Sequence, residues 1–129
     1  MNNNPAQRGL ILFAHGSRDP QWCAPMQAVA ARVAALEPSV LVRCAYLELM
    51  PPDLPSCAAA LALEGVSSIT VLPLFLGMGR HAREDLPVLM AQLRAQHPEL
   101  HFDLRPTVGS DARVIDLLAH MALQDCPPV

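Results

Sequence analysis

Apolar residues along the chain alternate between short continuous runs and stretches with helical spacing. Continuous runs begin at Gly9, Val40 and Ser68, and a fourth run from His101 alternates apolar with polar residues. A short, continuously apolar run is typical of a strand that is covered on both faces. Strict alternation suits a strand with one wetter face. We therefore predict four strands, with the last at an edge of its sheet.

Each predicted strand is followed by a predicted helix. The apolar positions that indicate three of these helices are Trp22, Met26, Val29, Ala30, Val33 and Leu36; Leu86, Leu89, Met90 and Leu93; and Val114, Ile115, Leu118 and Met121.

Capping residues set the expected ends of the helices. Asp19 and Pro20 offer a start for the first helix, with Pro25 near its first turn. Asp53 or Ser56 could cap the second helix, and Gly65 ends it. Ser110 or Asp111 could cap the last helix. Pro87 suits only the first turn of the third helix, because proline lacks the backbone N–H that a helix interior needs.

The order βαβαβαβα, with helices long enough to cross over a sheet, predicts an α/β three-layer sandwich. Right-handed crossovers leave few topologies, and we predict a four-stranded parallel sheet of order 2-1-3-4, a shortened flavodoxin-like sheet. The 129 residues fit a single domain, 1–129, whose tails 1–8 and 125–129 we expect to fray.

Charge and composition exclude several classes of partner. The formal net charge is −3 and all nine basic residues are arginine, so we expect no nucleic-acid or membrane partner. The N-terminal residues lack the regions of a signal peptide, and no apolar run is long enough for a membrane span. We therefore expect a cytoplasmic protein.

The four cysteines do not form a metal-binding or redox motif. No pair of them has C-x-x-C spacing, and structural thiols are the expected interpretation. The cysteines are Cys23, Cys44, Cys57 and Cys126.

Candidate chemistry collects at one edge of the predicted sheet. In a doubly wound sheet, ligands bind outside the carboxyl ends of the strands, where the connections diverge. His15 ends the first strand, and His81 follows the third strand after a glycine-containing loop. Glu48 ends the second strand. We expect the two imidazoles to face one crevice, with Glu48 at its rim.

The residue types at this edge suit a metal and an anionic ligand. Imidazole exchanges protons near neutral pH and binds divalent cobalt, nickel, iron or zinc. Two imidazoles leave most coordination positions open, as a metal that is handed on requires. Gly77 and Gly79 would let a large ligand approach the backbone. Further candidate groups for an anionic ligand are Ser17, Arg18, Arg80 and Arg83.

Four segments of the chain resemble the small class II chelatases that insert a divalent metal into sirohydrochlorin. The segments are FAHGSRD, YLELMPPDLP, ITVLPLFLGMGRHAREDLP and PTVGSDARVIDLL. The resemblance implies that His15 and His81 bind the metal and accept protons, and that Glu48 is the family's acidic position. It also implies a homodimer, since members of this length are similar to half of a longer, two-lobed chelatase.

The resemblance further implies insertion without ATP, and the chain has no nucleotide-binding P-loop. Cobalt is the expected metal substrate, with nickel or iron possible. Substrate-binding roles for Ser17, Arg18, Gly79 and Arg80 are our own addition.

Two other functions stay open at this stage. A tetrapyrrole or metal carrier of the same fold would use the same residues without catalysis. A phosphoryl-transfer enzyme could use His15 as a nucleophile, but the histidine phosphatases carry arginine where Ala14 stands here.

Overall fold

A computed structural model of the protein describes residues 7–124. Its strands and α-helices, numbered in chain order, are β1 (Arg8–Ala14), α1 (Ala24–Leu36), β2 (Val40–Tyr46), α2 (Leu54–Leu63), β3 (Ser68–Pro73), α3 (Arg80–Gln96), β4 (His101–Leu104) and α4 (Ala112–Leu123). Short 3₁₀ helices precede α1 at Pro20–Cys23 and α4 at Val108–Ser110.

The four strands form one parallel sheet in the order β2-β1-β3-β4. β1 lies in the centre, with Leu12 beside Cys44 of β2 on one side and beside Leu72 of β3 on the other. This order and direction confirm the predicted fold class. The alternating strand β4 is an edge strand, as predicted.

The two faces of the sheet are covered unequally. On one face, α2 and α3 bury the main core, in which Ile11, Phe13 and Val71 are almost fully enclosed. On the other face, α1 lies over β1 and β2, where Tyr46 and Ala14 form a smaller cluster with half-buried Trp22 and Met26.

The start of the first helix differs from expectation, whereas the caps of α2 and α4 are among the predicted residues. The segment after Asp19 begins as a 3₁₀ helix, and α1 starts only at Ala24, which places Pro25 in the first turn as predicted. Asp53 and Asp111 are the N-caps of α2 and α4, and Gly65 takes a φ of 90° just after α2. The caps therefore resolve both alternatives in favour of aspartate.

Pro87 was expected in the first turn of α3, and this expectation is wrong. α3 begins at Arg80, so Pro87 lies inside the helix and cannot donate a hydrogen bond to the Arg83 carbonyl. Both residues are on the exposed side of the helix, where water can satisfy that carbonyl. The earlier start also moves His81 from the expected loop into the first turn of α3.

α4 does not cover the sheet. It contains no buried residue, and the one element against which it packs closely within residues 7–124 is the 3₁₀ helix Val108–Ser110. The predicted apolar positions Ile115, Leu118 and Met121 are 54%, 38% and 58% exposed.

The tails fall mostly beyond residues 7–124, so the prediction that they fray lies largely outside the described chain. Its N-terminal boundary at residue 8 needs correction, because β1 begins at Arg8 and the Gln7 carbonyl accepts a hydrogen bond from the Ser67 N–H. Within residues 7–124, no helix combines the length and apolar character that crossing a bilayer requires.

The Asp53 cap gives a test of helix stability. The Asp53 carboxylate accepts a 2.8 Å hydrogen bond from the Ser56 N–H, and hydrogen bonds from the Ser56 side chain and backbone lower the pKa of Asp53. We expect Asp53→Ala to reduce the free energy of unfolding at pH 7 by about 1 kcal/mol, and Asp53→Asn to reduce it less.

A carboxyl with a lowered pKa stabilises the fold fully above its unfolded pKa of about 4 and loses that contribution as the pH falls through its folded pKa. Urea unfolding at pH 7 and pH 3 measures both effects. A difference between wild type and Asp53→Ala that is as large at pH 3 as at pH 7 would contradict this account of the cap.

Candidate metal and tetrapyrrole site

His15 follows directly on the last residue of β1, and the backbone around it is fixed by its neighbours. The His15 carbonyl accepts a 3.1 Å hydrogen bond from the Glu48 N–H, and the Ala14 carbonyl accepts one from the Leu47 N–H. These bonds continue the β1–β2 pairing beyond the ends of both strands. His15 itself is exposed, so its imidazole is available at the carboxyl edge of the sheet.

Gly16 makes this close approach possible. Its φ is 96°, and a Cβ atom at this position would lie 1.8 Å from the Glu48 carbonyl oxygen. No other residue type fits there without moving the backbone. Gly16 therefore holds the segments that carry His15 and Glu48 against each other.

Phe75 supports the His15 ring from the connection between β3 and α3. The two rings meet edge to face with centroids 5.4 Å apart. Phe75 also packs edge to face against Phe13 in the core, at 6.0 Å. The imidazole is thus coupled to the core through one buried aromatic ring.

The connection that holds Phe75 is itself anchored to the segment after β4. The Thr107 hydroxyl bonds to both the N–H and the carbonyl of Phe75, at 3.2 and 2.5 Å. The Gly109 N–H donates to the Phe75 carbonyl, and a Cβ on Gly109 would lie 1.7 Å from the Leu76 carbonyl oxygen. The start of this connection, at Phe75 and Leu76, is therefore held in place.

His81 lies in the first turn of α3, six residues after Phe75, and is exposed. Because β1 and β3 are adjacent and parallel, His15 and His81 both follow carboxyl ends of neighbouring strands. Gly79 is the N-cap of α3, and added Cβ atoms on Gly77 or Gly79 would meet no atom within 4 Å. The space beside these two glycines is therefore open. That the two imidazoles share one ligand stays a prediction.

Glu48 lies in the connection from β2 to α2, beyond the end of the strand, and is exposed. The next residue, Leu49, takes a φ of 72°, a left-handed conformation that is uncommon for leucine. Within residues 7–124, no three or more His, Cys, Asp or Glu side chains form a group able to hold a metal. Glu48 is thus beside His15 in the chain fold but not part of a three-ligand cluster.

Two of the polar and basic candidates, Ser17 and Arg80, have local partners. The Ser17 hydroxyl accepts a 3.0 Å hydrogen bond from the Asp19 N–H. Arg80 pairs with Glu84 through a 3.1 Å contact while its side chain is 82% exposed. Arg18 is exposed and lies three residues after His15 in the sequence. Because the Arg80–Glu84 pair is exposed, it is weak, and a polyanion could compete for Arg80.

Arg83 lies elsewhere. It lines a cavity of about 320 Å³ together with Met78, Pro87 and Arg105. His15 does not line this cavity, so the structure does not group Arg83 with His15.

The buried thiols and Tyr46 are unsuited to nucleophilic chemistry. Burial raises the pKa of Cys57 to about 11 and that of Tyr46 to about 12, and it also raises the pKa of Cys44. Cys23, Cys44 and Cys57 are free thiols, in keeping with a structural role. Cys126 lies outside the described residues.

Sequence reasoning missed the residues that position the site. It gave no role to Gly16, Phe75, Thr107 or Gly109. The available signal was the position of Gly16 and Gly109 in segments that follow strands, where a glycine often marks a close backbone approach.

The Gly16 contact predicts a stability difference between two substitutions. Gly16→Ala must displace the Glu48 carbonyl as well as adopt a positive φ, so it should cost on the order of 3 kcal/mol of unfolding free energy. Gly65→Ala is the matched control, because Gly65 has a φ of 90° but open space around its Cβ position. Its cost should be about 1 kcal/mol. Equal losses in urea unfolding would show that the contact with Glu48 is unimportant.

Comparison with known proteins agrees with this architecture. The sirohydrochlorin cobaltochelatase of Sulfolobus acidocaldarius is 28% identical over 114 residues, which cover 88% of this chain and 89% of the relative. The sirohydrochlorin ferrochelatase of Bacillus subtilis is 24% identical over 117 residues, and the match spans 88% of this chain but only 44% of that longer protein.

Among solved structures, the crystal structure of the CbiX protein from Marinobacter aquaeolei VT8 superposes with a TM-score of 0.76. It is 31% identical, and the superposition covers 89% of this chain and 93% of that one. The CbiX family model matches residues 9–124. This range contains all four strands except Arg8, the first residue of β1, and it contains all candidate site residues. The chain therefore belongs to the CbiX family.

Proposed function

We propose that the protein inserts a divalent metal ion into sirohydrochlorin without ATP, and that it acts as a homodimer. Both ions named for the relatives, cobalt and iron, are candidates for the metal. Cobalt is the first choice, because the relative that matches over most of its own length is named a cobaltochelatase. Nickel stays possible, since imidazole ligands discriminate weakly among these ions.

The observation that carries the proposal is the supported, exposed imidazole of His15. Its backbone is bonded to Glu48 and its ring packs on Phe75, in the connection that leads to His81. A ligand held by such a group keeps a defined position while its other coordination sites face an open surface. This arrangement suits a metal that is bound briefly and then released to a second ligand.

Metal transfer proceeds by exchange of ligands and protons. His15 and His81 hold the divalent ion through neutral imidazole nitrogens, and water fills the remaining positions. The pyrrole nitrogens of sirohydrochlorin replace these ligands one after another. Two pyrrole N–H protons must leave as the divalent ion enters the ring, so the net charge of the tetrapyrrole is unchanged and two protons are released.

Glu48 or one of the imidazoles accepts each proton and passes it to solvent. Glu48 is exposed, and its N–H donates the hydrogen bond that fixes the His15 carbonyl. Because the metal leaves an imidazole as the ring binds, that imidazole becomes free to take a proton.

The open surface around Gly77 and Gly79 suits a large, flat ligand. Neither glycine has a side chain and the space beside each is open, so a macrocycle could lie close to the backbone before α3. Arg18, Arg80 and the Ser17 hydroxyl would bind carboxylates at the periphery of the ring. Arginine is suited to this because its planar guanidinium binds a carboxylate through two hydrogen bonds.

Removing either imidazole should abolish metal insertion. We expect His15→Ala and His81→Ala to lower the insertion rate by at least about 100-fold, because ligand and proton acceptor are lost together. His101→Ala is the matched control, since His101 is exposed but begins β4, at the opposite edge of the sheet. Near-normal rates in both site variants, with folding verified by circular dichroism, would contradict the assignment.

The same assay separates a chelatase from a carrier. Single-turnover absorption spectra with Co²⁺, Ni²⁺ and Fe²⁺ in parallel follow conversion of free sirohydrochlorin to the metallated ring. A carrier would shift the absorption bands of the tetrapyrrole without producing metallated ring, and it would rule out the proposed activity. The ion with the highest kcat/KM identifies the preferred metal.

Arg80 provides a test of substrate binding. Arg80→Ala should raise KM for sirohydrochlorin several-fold while changing kcat little, since a peripheral carboxylate contact is the same before and during insertion. Arg32→Ala, an exposed arginine on α1, controls for the loss of one positive charge. If both variants kept the wild-type KM, Arg80 would have no role beyond its pair with Glu84.

A further inference from the structure

The cavity that Arg83 lines has a wall of unusual composition. Its volume is about 320 Å³, and Arg105 lines it from the segment after β4. We call it the arginine cavity. Its wall contains two arginines, one threonine and six leucine, methionine or proline residues, and no acidic residue. The volume lies at the lower end of the roughly 300–1,000 Å³ of small-molecule sites, so the cavity suits a small group.

The two guanidinium groups of the cavity are unpaired in the part of the chain that the structure describes. Arg80 on the same helix pairs with Glu84, whereas neither Arg83 nor Arg105 forms a salt bridge within residues 7–124. The chain as a whole has a net charge of −3, so two unpaired cations in one cavity are a local exception. Two like charges in one cavity repel each other, and an anion between them relieves that repulsion.

The backbone at both arginines is fixed. The Arg105 N–H donates a 2.9 Å hydrogen bond to the Val71 carbonyl, which continues the pairing of β3 with β4. The Arg83 N–H donates a 3.0 Å hydrogen bond to the Gly79 carbonyl in the first turn of α3. Three prolines in the wall add rigid rings without a backbone N–H. The cavity is therefore built on the ends of regular elements rather than on a long loop.

The wall offers one kind of polar contact beside an apolar surface. The Thr107 hydroxyl is already bonded to the backbone after β3, which leaves the guanidinium groups of Arg83 and Arg105 for a ligand. Leu86 is buried and Leu104 is half-buried. A guanidinium binds a carboxylate through two hydrogen bonds, and an apolar wall favours CH₂ groups. This chemistry fits a carboxylate on a short apolar stem.

The arginine cavity adjoins the open glycine surface. Met78 lines the cavity and lies between Gly77 and Gly79 in the chain. Residues two positions apart on an α-helix differ by about 200° around its axis, so Arg83 and His81 are on opposite sides of α3. A ligand that rests on the two glycines therefore has one edge toward the imidazole and another toward the arginine cavity.

We propose that the arginine cavity binds a carboxylate carried on a short apolar stem, and that this carboxylate is one at the periphery of the macrocycle. The assignment to the macrocycle rests on the proposed function. It adds a contact across α3 from the imidazole, so the ring is restrained from turning in its own plane while the metal enters. A free short-chain carboxylic acid has the same chemistry, and the experiments below distinguish the two sources.

Titration with small acids tests the cavity without the macrocycle. In nuclear magnetic resonance spectra of the whole chain, sodium butyrate should shift the Nε–H signals of Arg83 and Arg105 saturably, at an ionic strength held constant with sodium chloride. Butyrate should bind more tightly than acetate, by about four-fold for each CH₂ group that becomes buried. The signal of Arg32, exposed on α1, is the internal control. Equal affinity for the two acids, or no saturable shift, would overturn the site.

Titration with sirohydrochlorin in the absence of metal identifies the source of the carboxylate. Arg83→Gln and Arg105→Gln should each raise Kd, followed by absorption, about five-fold, because each removes a charge-assisted hydrogen bond. Both side chains are exposed, so the fold should persist by circular dichroism. Arg32→Gln controls for the loss of one positive charge. An unchanged Kd in both cavity variants, with butyrate still shifting the wild-type signals, would overturn the macrocycle as the source and identify a free acid.

These binding measurements fail separately from the proposed function. They need no metal, so a chain that bound sirohydrochlorin through Arg83 and Arg105 without inserting a metal would contradict the proposed activity alone. A chain that inserted metal normally while its arginine signals ignored butyrate would contradict the arginine cavity alone.

Discussion

The backbone contact between Gly16 and the Glu48 carbonyl fixes the edge of the sheet on which the chemistry depends. It continues the pairing of β1 and β2 past their ends and leaves no room for a side chain. A second contact of the same kind, between Gly109 and Leu76, holds the connection that follows β3. Together they fix the backbone of the connections that follow β1, β2 and β3 at this edge.

In the proposed function the metal moves from His15 to sirohydrochlorin, so the His15 ring has to stay in place while the metal leaves. The His15 ring is supported by Phe75, which in turn packs on Phe13 in the core. Under that proposal, an imidazole held in this way would keep its position as the metal leaves, so little reorganisation would accompany transfer. The open glycine surface before α3 supplies the complementary property, space for the acceptor to approach.

The sequence was sufficient for the fold because the first three strands are distinct apolar runs, the fourth alternates, and a stretch with helical spacing follows each strand, with aspartate caps at the starts of α2 and α4. Strand order 2-1-3-4 followed from topology alone, and His15 and Glu48 lie near the predicted edge, although β1 ends at Ala14 and β2 at Tyr46, before both residues. The start of α3 was misplaced because Pro87 normally marks a first turn, and only the structure shows that its unpaired carbonyl partner is exposed. Sequence patterns did not indicate the positioning residues, because close backbone approach depends on tertiary contacts, which leave no periodic pattern in the sequence. These residues are Gly16, Phe75, Thr107 and Gly109.

The burial of Cys57 and the partial burial of Cys44 affect which side chains could bind a divalent metal ion. Thiolate sulfur binds soft and borderline divalent ions tightly, but only after the proton has left. With a pKa of about 11 at Cys57 and a raised pKa at Cys44, these sulfurs stay protonated at neutral pH. Under the proposed function, an ion at the carboxyl edge of the sheet would therefore be bound by the imidazoles of His15 and His81 and by Glu48, in preference to the sulfurs of Cys44 and Cys57.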